Sequence, residues 1–414
     1  MNKNSIIRKK LSFFLLCVEL FFIIFSIHIK PFEGLFTLRN IDIGLIVLIS
    51  IFSPLKNTFR KTREIDKKWI IGMICLLVYV TILMLMNSSE MTGHNSALET
   101  FNFLIMVVLL PFFLLKIERD ISRWTNAFIV VTLIQALIVI GCFLFPEFKT
   151  MIFNMQSWDD DWLYYRVSGL GIAGAGGTVY LYCGFIANCY YLIYYKSKSF
   201  YYVSAIVILF ATMLVGRTGF YTEVVLLVYT LVSFFLFPQK TSNTSVITKI
   251  ISLFIAIAIL LFAVNYINSS LDVNYDMLES SYSRLNDIVE GNTVKAINSR
   301  AIPELTLSTL FFGIGYGKGY TFDGTLIWND SGFVMRYNGF GAIPALISYF
   351  LLFWYLISHL KLIKDKSKRY FWIIPILSMF IIEYKEEFIF YLSLPFVIII
   401  FLKLELYNQL SKSK

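Results

Sequence analysis

The chain has 414 residues, 57% apolar and 15% charged, with a mean hydropathy of +0.70. Soluble domains carry about 25% charged residues, so this composition, with its 40 Phe and 25 Tyr, excludes an ordinary soluble globule and points to a polytopic membrane protein. The net charge of +9 does not indicate a nucleic-acid partner: no basic patch is interleaved with aromatics outside a membrane context, and the basic residues gather in loops that the positive-inside rule assigns to the cytoplasm.

Apolar runs predict an all-α chain of twelve spans with both termini inside. Arg8-Lys-Lys10 precedes span one, Leu11 to Ile29, which is long for a signal peptide and lacks a small-residue cleavage site. Span two is short, Ile41 to Ser53. The next loop holds Lys56, Arg60, Lys61, Arg63, Lys67 and Lys68 against Glu64 and Asp66, a cytoplasmic signature. Span three, Trp69 to Met86, leads to an outer loop with Glu90, His94 and Glu99. Span four is Phe101 to Leu115, and Lys116, Arg119 and Arg123 lie inside. Span five, Trp124 to Phe145, leads to an outer loop with Asp159-Asp-Asp161 and Arg166-Val-Ser-Gly169. Spans six (Ile172 to Tyr195), seven (Phe200 to Val215) and eight (to Phe237) follow, with Gly216-Arg217-Thr-Gly219 as the outer turn between the last two. Span nine is Ile250 to Tyr266. Spans ten (Phe340 to Leu360), eleven (to Ile382) and twelve close the chain. A basic inner loop runs to Arg369, and Tyr384-Lys385-Glu386-Glu387 reads as a tight outer turn. Cys17, Cys75, Cys142, Cys183 and Cys189 all lie in or beside apolar runs, without disulfide or metal spacing.

The long polar interval 265–339 separates spans one to nine (1–264) from spans ten to twelve (340–414) and reads as a large extracytoplasmic loop over an intramembrane chamber. Four arginines fall at the outer face: Arg166, Arg217, Arg284 and Arg300. Arg217 stands between two apolar spans with no carboxylate within five residues. An arginine there either snorkels to the interface or captures an anion, for which its planar fork of donors is suited. Gly169-Leu-Gly-Ile-Ala-Gly174 matches a dinucleotide fingerprint only formally, because no strand precedes it. Gly313 to Gly319 is either a plain turn or a loop backing on phosphates or sugars. Asp159 to Asp161 is either solvated or a divalent-cation site. His28, His94 and His359 are too scattered for a metal centre, and His359 reads as an interfacial residue at the inner end of span ten. Asp287, Glu304, Asp323 and Asp330 are candidate bases; Asp330, just ahead of span ten, is placed either to accept a proton or to cap a helix.

In order along the chain, Arg166-Val-Ser-Gly169, Gly216-Arg217-Thr-Gly219, Arg300 with Gly313-Ile-Gly-Tyr-Gly317, and Asp330-Ser-Gly332 resemble the motifs of the O-antigen polymerase and O-antigen ligase superfamily, in its polymerase branch of capsule and exopolysaccharide clusters. The resemblance implies a GT-C-like membrane glycosyltransferase that needs no metal or cofactor. Its substrates are undecaprenyl-pyrophosphate-linked repeat units at the outer face of the bacterial cytoplasmic membrane, with a flippase and a chain-length regulator as partners. It implies pyrophosphate binding by Arg166, Arg217, Arg284 and Arg300, catalysis by Arg217, Arg300 and Asp330, and sugar contacts from Gly315, Tyr316, Gly317 and Trp328. Ligases of the superfamily carry a histidine in the late loop where this chain has Asn329-Asp330, which favours a polymerase. A ligase and a lipid-linked oligosaccharide flippase are the alternatives; the large outer loop and the lack of repeated halves argue against the flippase.

Overall fold

The computed structural model describes residues 3–25, 62–87, 92–155, 167, 169–170, 175–195, 199–236, 305–320, 326–327, 331–385, 387–390 and 393–411. Spans two and nine, Asp159 to Asp161 and most of the large loop lie outside the described residues. In chain order the elements are α1 (Lys3–Phe25), α2 (Arg63–Asn87), β1 (Thr92–Asn95), α3 (Ser96–Ile117), α4 (Ile121–Leu144), α5 (Pro146–Met155), α6 (Ala175–Tyr194), α7 (Ser199–Val215), α8 (Arg217–Leu236), α9 (Leu307–Phe311), β2 (Tyr316–Tyr320), β3 (Leu326–Ile327), α10 (Gly332–Phe340), α11 (Ala342–Leu362), α12 (Lys366–Lys385) and α13 (Ser393–Ser411).

The fold is helical, and α2, α4 and α11 are long and apolar enough to cross a membrane. Their exposed faces carry the same message. On α2 the exposed stripe is Ile71, Ile74, Val78, Ile82 and Leu85, while the buried face is Trp69, Met73, Leu76, Val80 and Leu83. On α11 Leu346, Ile347 and Phe350 are exposed. A helix at a water surface puts polar residues on its outer face; one that is apolar all round suits hydrocarbon.

Helix boundaries follow local chemistry. The Asn95 side chain accepts the amides of Ala97 and Leu98 at 2.9 and 3.1 Å and so caps α3. Asp120 caps α4 through the Ser122 amide. The helices fall into two units, one built from 1–42 and 120–294, the other from 43–119 and 295–414.

In the first unit α4, α6, α7 and α8 pack closely with α1 and α5. Gly184 of α6 lies against Thr132 of α4 so closely that no side chain fits, and polar pairs cross between helices: Ser204 donates to Asn188 (2.7 Å) and Tyr201 to Asn126 (2.8 Å). Small residues and interhelical hydrogen bonds are how helices associate where lipid offers no hydrophobic drive. Thr212 donates to Glu223 at 2.8 Å across the α7–α8 junction. Eleven residues of straight helix would hold these apart by roughly 16 Å, so the chain turns back at Gly216.

In the second unit α10 packs against α2, α3, α11 and α12, and α13 against α3, α11 and α12. A small antiparallel sheet of order β1-β2-β3 joins the segment after α2 to the segment 316–320, with Thr92 opposite Tyr320 and Asn95 opposite Tyr316 and a bulge between Gly93 and Asn95. The helical fold class holds with one small addition: Tyr316 to Tyr320 is a strand, because its amides find partners in β1 and β3 rather than water. Two loop expectations also change. Asp66 and Lys67 belong to α2, and α12 continues through Tyr384 and Lys385.

Candidate functional site

The motif ends in the first unit are built around glycines. Gly169 has φ +64°, and a Cβ there would stand 2.8 Å from Gln135 Nε2 and 2.9 Å from Val139. Gln135, buried on α4, donates to the Leu170 carbonyl (2.8 Å) and accepts the Leu170 amide (3.2 Å), a two-point clamp on the chain just after that glycine. At the α7–α8 junction the Gly216 amide closes α7 onto Thr212 O (3.0 Å), and Arg217 opens α8. The Gly219 amide donates to Thr178 Oγ1 (3.0 Å), and a Cβ at 219 would meet Thr178 Cβ at 2.5 Å. Thus the first turn of α8 is pinned to the first turn of α6, and Arg217 enters the helix two residues before that anchor. The positive end of the α8 dipole at this turn favours an anion nearby. Glu223, fully buried on α8, accepts from Thr212 through Oε1, and its Oε2 has no hydrogen-bond partner among the described residues.

In the second unit Gly315 has φ +79°, and a Cβ would strike the Met84 backbone at 2.6 Å. Tyr316 is buried at the head of β2, whereas a Cβ at Gly317 would make only ordinary contacts with Met335. Residues 313–315 are laced onto α10 and α3. The amide of Ile314 donates to Asn338 O (2.7 Å), that of Gly315 to Gly339 O (3.0 Å), and that of Ser96 to Gly315 O (3.1 Å). Tyr79 of α2 donates to the carbonyls of Phe311 and Phe340.

Beneath this lacing lies a buried polar cluster. Arg336, 1% exposed, donates through Nη2 to Glu387 (2.9 Å) and stands 3.9 Å from Glu99. Its guanidinium carbon sits 4.0 Å from the Phe390 ring centre and 4.9 Å from that of Phe340. Burial opposes its charge, but the Glu387 and Glu99 carboxyls outweigh that and hold the guanidinium above its ordinary value. Glu383 accepts the Tyr349 hydroxyl (2.6 Å) and the amides of Phe388 and Ile389 (both 2.8 Å). It also explains Gly332, where a Cβ would meet the Glu383 carboxyl at 2.5 Å. The charge of Arg336 is matched by carboxyls through Nη2, while its Nε and Nη1 have no hydrogen-bond partner among the described residues. Beside Tyr349 an apolar cavity of about 530 Å³ is lined by Phe333, Tyr337, Leu346 and Phe380 among others, a volume within the range of small-molecule sites.

A second buried cluster lies at the Asp66 end of α2. Asp66 accepts from Tyr355 (2.7 Å), Lys403 (3.2 Å) and Thr62 (3.1 Å), with His359 Nε2 at 3.4 Å. His359, in the last turn of α11, is 1% exposed, and its ring lies 4.4 Å from that of Tyr355 with the planes tilted by 59°.

Of the expected site residues, Arg217, Gly315, Tyr316 and Gly317 are described, Arg217 by its backbone alone; Arg166, Arg284, Arg300, Trp328 and Asp330, with Asp287, Glu304 and Asp323, lie outside the described residues. Arg217 belongs to the first unit and Gly315 to Gly317 to the second. Sequence reasoning missed Arg336, Glu99, Glu383, Glu387, Asp66 and Lys403. The available signal was Glu383 and Glu387, two carboxyls four residues apart at the end of an apolar run, where burial demands a partner. Compared with known proteins, the chain matches no protein-family model and no curated protein.

Proposed function

We propose that the protein is a membrane polymerase of undecaprenyl-pyrophosphate-linked oligosaccharide repeat units, with twelve spans, cytoplasmic termini and its reaction at the outer face of the cytoplasmic membrane. One observation carries the reading. Arg217, in one of the motifs that carry the resemblance, is the first residue of a 20-residue helix whose first turn is fastened to a neighbouring helix at Gly219. An arginine on a backbone held at a helix N-terminus is suited to a pyrophosphate. In the reaction an acceptor sugar hydroxyl attacks the anomeric carbon of the growing glycan. The bond from that carbon to the pyrophosphate oxygen breaks, the lipid pyrophosphate leaves, and the hydroxyl proton passes to a carboxylate, for which we assign Asp330. The leaving group is already stable, so catalysis is mainly charge stabilisation and positioning. Arg217 and Arg300 supply the first, with Arg166 and Arg284 binding the same pyrophosphate, and Gly315, Tyr316, Gly317 and Trp328 face the sugars. The apolar cavity beside Tyr349 suits a hydrocarbon tail.

The test is polymerisation of lipid-linked repeat units by the purified protein in liposomes. Arg217→Ala should leave single units. Arg217→Lys keeps the charge but loses the fork, and a charged hydrogen bond of about 1.5–3 kcal/mol makes it roughly tenfold to a hundredfold slower. Lys366→Ala, at an exposed helix start, should polymerise normally. Polymer of wild-type length and rate from Arg217→Ala would overturn the assignment.

A further inference from the structure

Three carboxyls, Glu99, Glu383 and Glu387, face a single guanidinium, Arg336, in a site where all four side chains are buried. Among the described residues the Tyr349 hydroxyl also turns into it, committed to Glu383. If every carboxyl were ionised, two negative charges would stand uncompensated in a buried site, which costs several kcal/mol or draws in a proton. Glu383 accepts three hydrogen bonds, which stabilise its charge. The other two lack that amide support and converge on one nitrogen: Arg336 Nη2 stands 2.9 Å from Glu387 Oε1 and 3.9 Å from Glu99 Oε2. Ionised carboxylates only accept, so two carboxyls on one donor bond each other only when one is protonated. Burial first, then the neighbouring Glu99, pushes Glu387 well above the ordinary carboxylate range.

This pair closes a ring of contacts. Glu99 lies in the first turn of α3, three residues from Ser96, whose amide holds the Gly315 carbonyl. Arg336 lies on α10, whose Asn338 and Gly339 carbonyls hold the Ile314 and Gly315 amides. Glu387 lies in the turn after α12. Residues 314–315 are thus threaded between the two elements that the carboxyl pair and Arg336 draw together. We propose that Glu99 and Glu387 share one proton that latches α10 to α3 and so holds the segment 313–320 against them. Loss of the proton sets two carboxylates against each other and loosens that segment.

The sign follows from linkage. The closed arrangement binds the proton more tightly than a solvated glutamate does. Closure is therefore complete at low pH and weakens as pH rises through the raised pKa of Glu387. The latch does not depend on the polymerase reading, because it is read without substrate. Hydrogen exchange of the full-length protein in lipid nanodiscs, corrected for intrinsic rates, measures the Ile314 and Gly315 amides. Their protection should fall at least roughly tenfold between about pH 5.5 and about pH 9. Glu99→Gln gives Glu387 a permanent N–H donor and leaves its pair with Arg336, so protection should stay high and flat with pH. Wild-type protection that does not change with pH, or a Glu99→Gln variant that keeps the wild-type slope, would sink the latch. Should Glu99→Gln not fold, infrared spectra of the wild type decide. A protonated-carboxyl carbonyl band that fades in step with the loss of protection supports the shared proton, and no such band anywhere in the range refutes it.

Discussion

Gly315 and Gly317 stand two residues apart in one glycine-rich run, yet they do different jobs. Gly315 sits in the left-handed region with the Met84 backbone 2.6 Å from where a Cβ would go, while Gly317 has room for one. Gly315→Ala should therefore cost more than the roughly 1–2 kcal/mol of left-handed backbone alone, since backbone cannot step aside. Gly317→Ala should stay within about 1 kcal/mol of wild type. Thermal unfolding of the two purified variants checks this; equal midpoints would mean that the run is an adaptable turn. From sequence the two glycines were equivalent members of one motif. What distinguishes them is a residue on α2, more than two hundred positions away in the chain, and no local pattern carries that.

Among the elements, α2, α11 and α13 are joined by the Asp66 cluster, whose charged members Asp66 and Lys403 are 337 positions apart. Removing one member of a buried pair leaves the other uncompensated. Lys403→Met should thus lower stability by about 3–5 kcal/mol, and adding Asp66→Asn should recover most of the loss. If the double variant is as unstable as the sum of the singles, the pair is not coupled. This is also the scale at which the sequence was most and least legible. The long helices were legible because each is a continuous apolar run, and α7 and α8 were separable because Gly216 and Gly219 punctuate one; α5, α9 and α10, short and mixed in composition, fall in stretches read as loop. Asp66 and Lys67 were assigned to a loop because charge is read as exposure unless its partner is in view. Likewise Tyr316 to Tyr320, with three glycine-flanked polar positions, has no strand pattern of its own; its partners in β1 lie far upstream. The clusters at Arg336 and Asp66 arise from pairings across the chain, so only the unexplained carboxyls could have announced them.

For the whole molecule, the proposed topology makes a prediction that needs no enzyme assay. With the natural cysteines replaced, single cysteines at 160, 292 and 323 should react with a membrane-impermeant thiol reagent in intact cells, and those at 61 and 366 only after the membrane is broken. Reaction of the last two in intact cells would overturn the twelve-span arrangement. The same experiment places the sheet, because β1 follows α2 directly and pairs with β2; a cysteine at position 92 must share the side on which 323 is labelled. Opposite outcomes for 92 and 323 would contradict either the pairing or the orientation of α2.

The contact between Gly332 and Glu383 has an evolutionary reading. A side chain at 332 needs the space that the Glu383 carboxyl occupies, and that carboxyl is the acceptor for the amides of Phe388 and Ile389. Neither position can drift alone. A lineage that replaced Gly332 would have to shorten residue 383, find new acceptors for two buried amides and move the Glu387 backbone, whose Cα stands 2.7 Å from where the Cβ would go. The glycine that opens α10 and the glutamate near the end of α12 are therefore inherited as one character, and a relative that varies Gly332 should carry compensating changes at 383 and in the segment after α12.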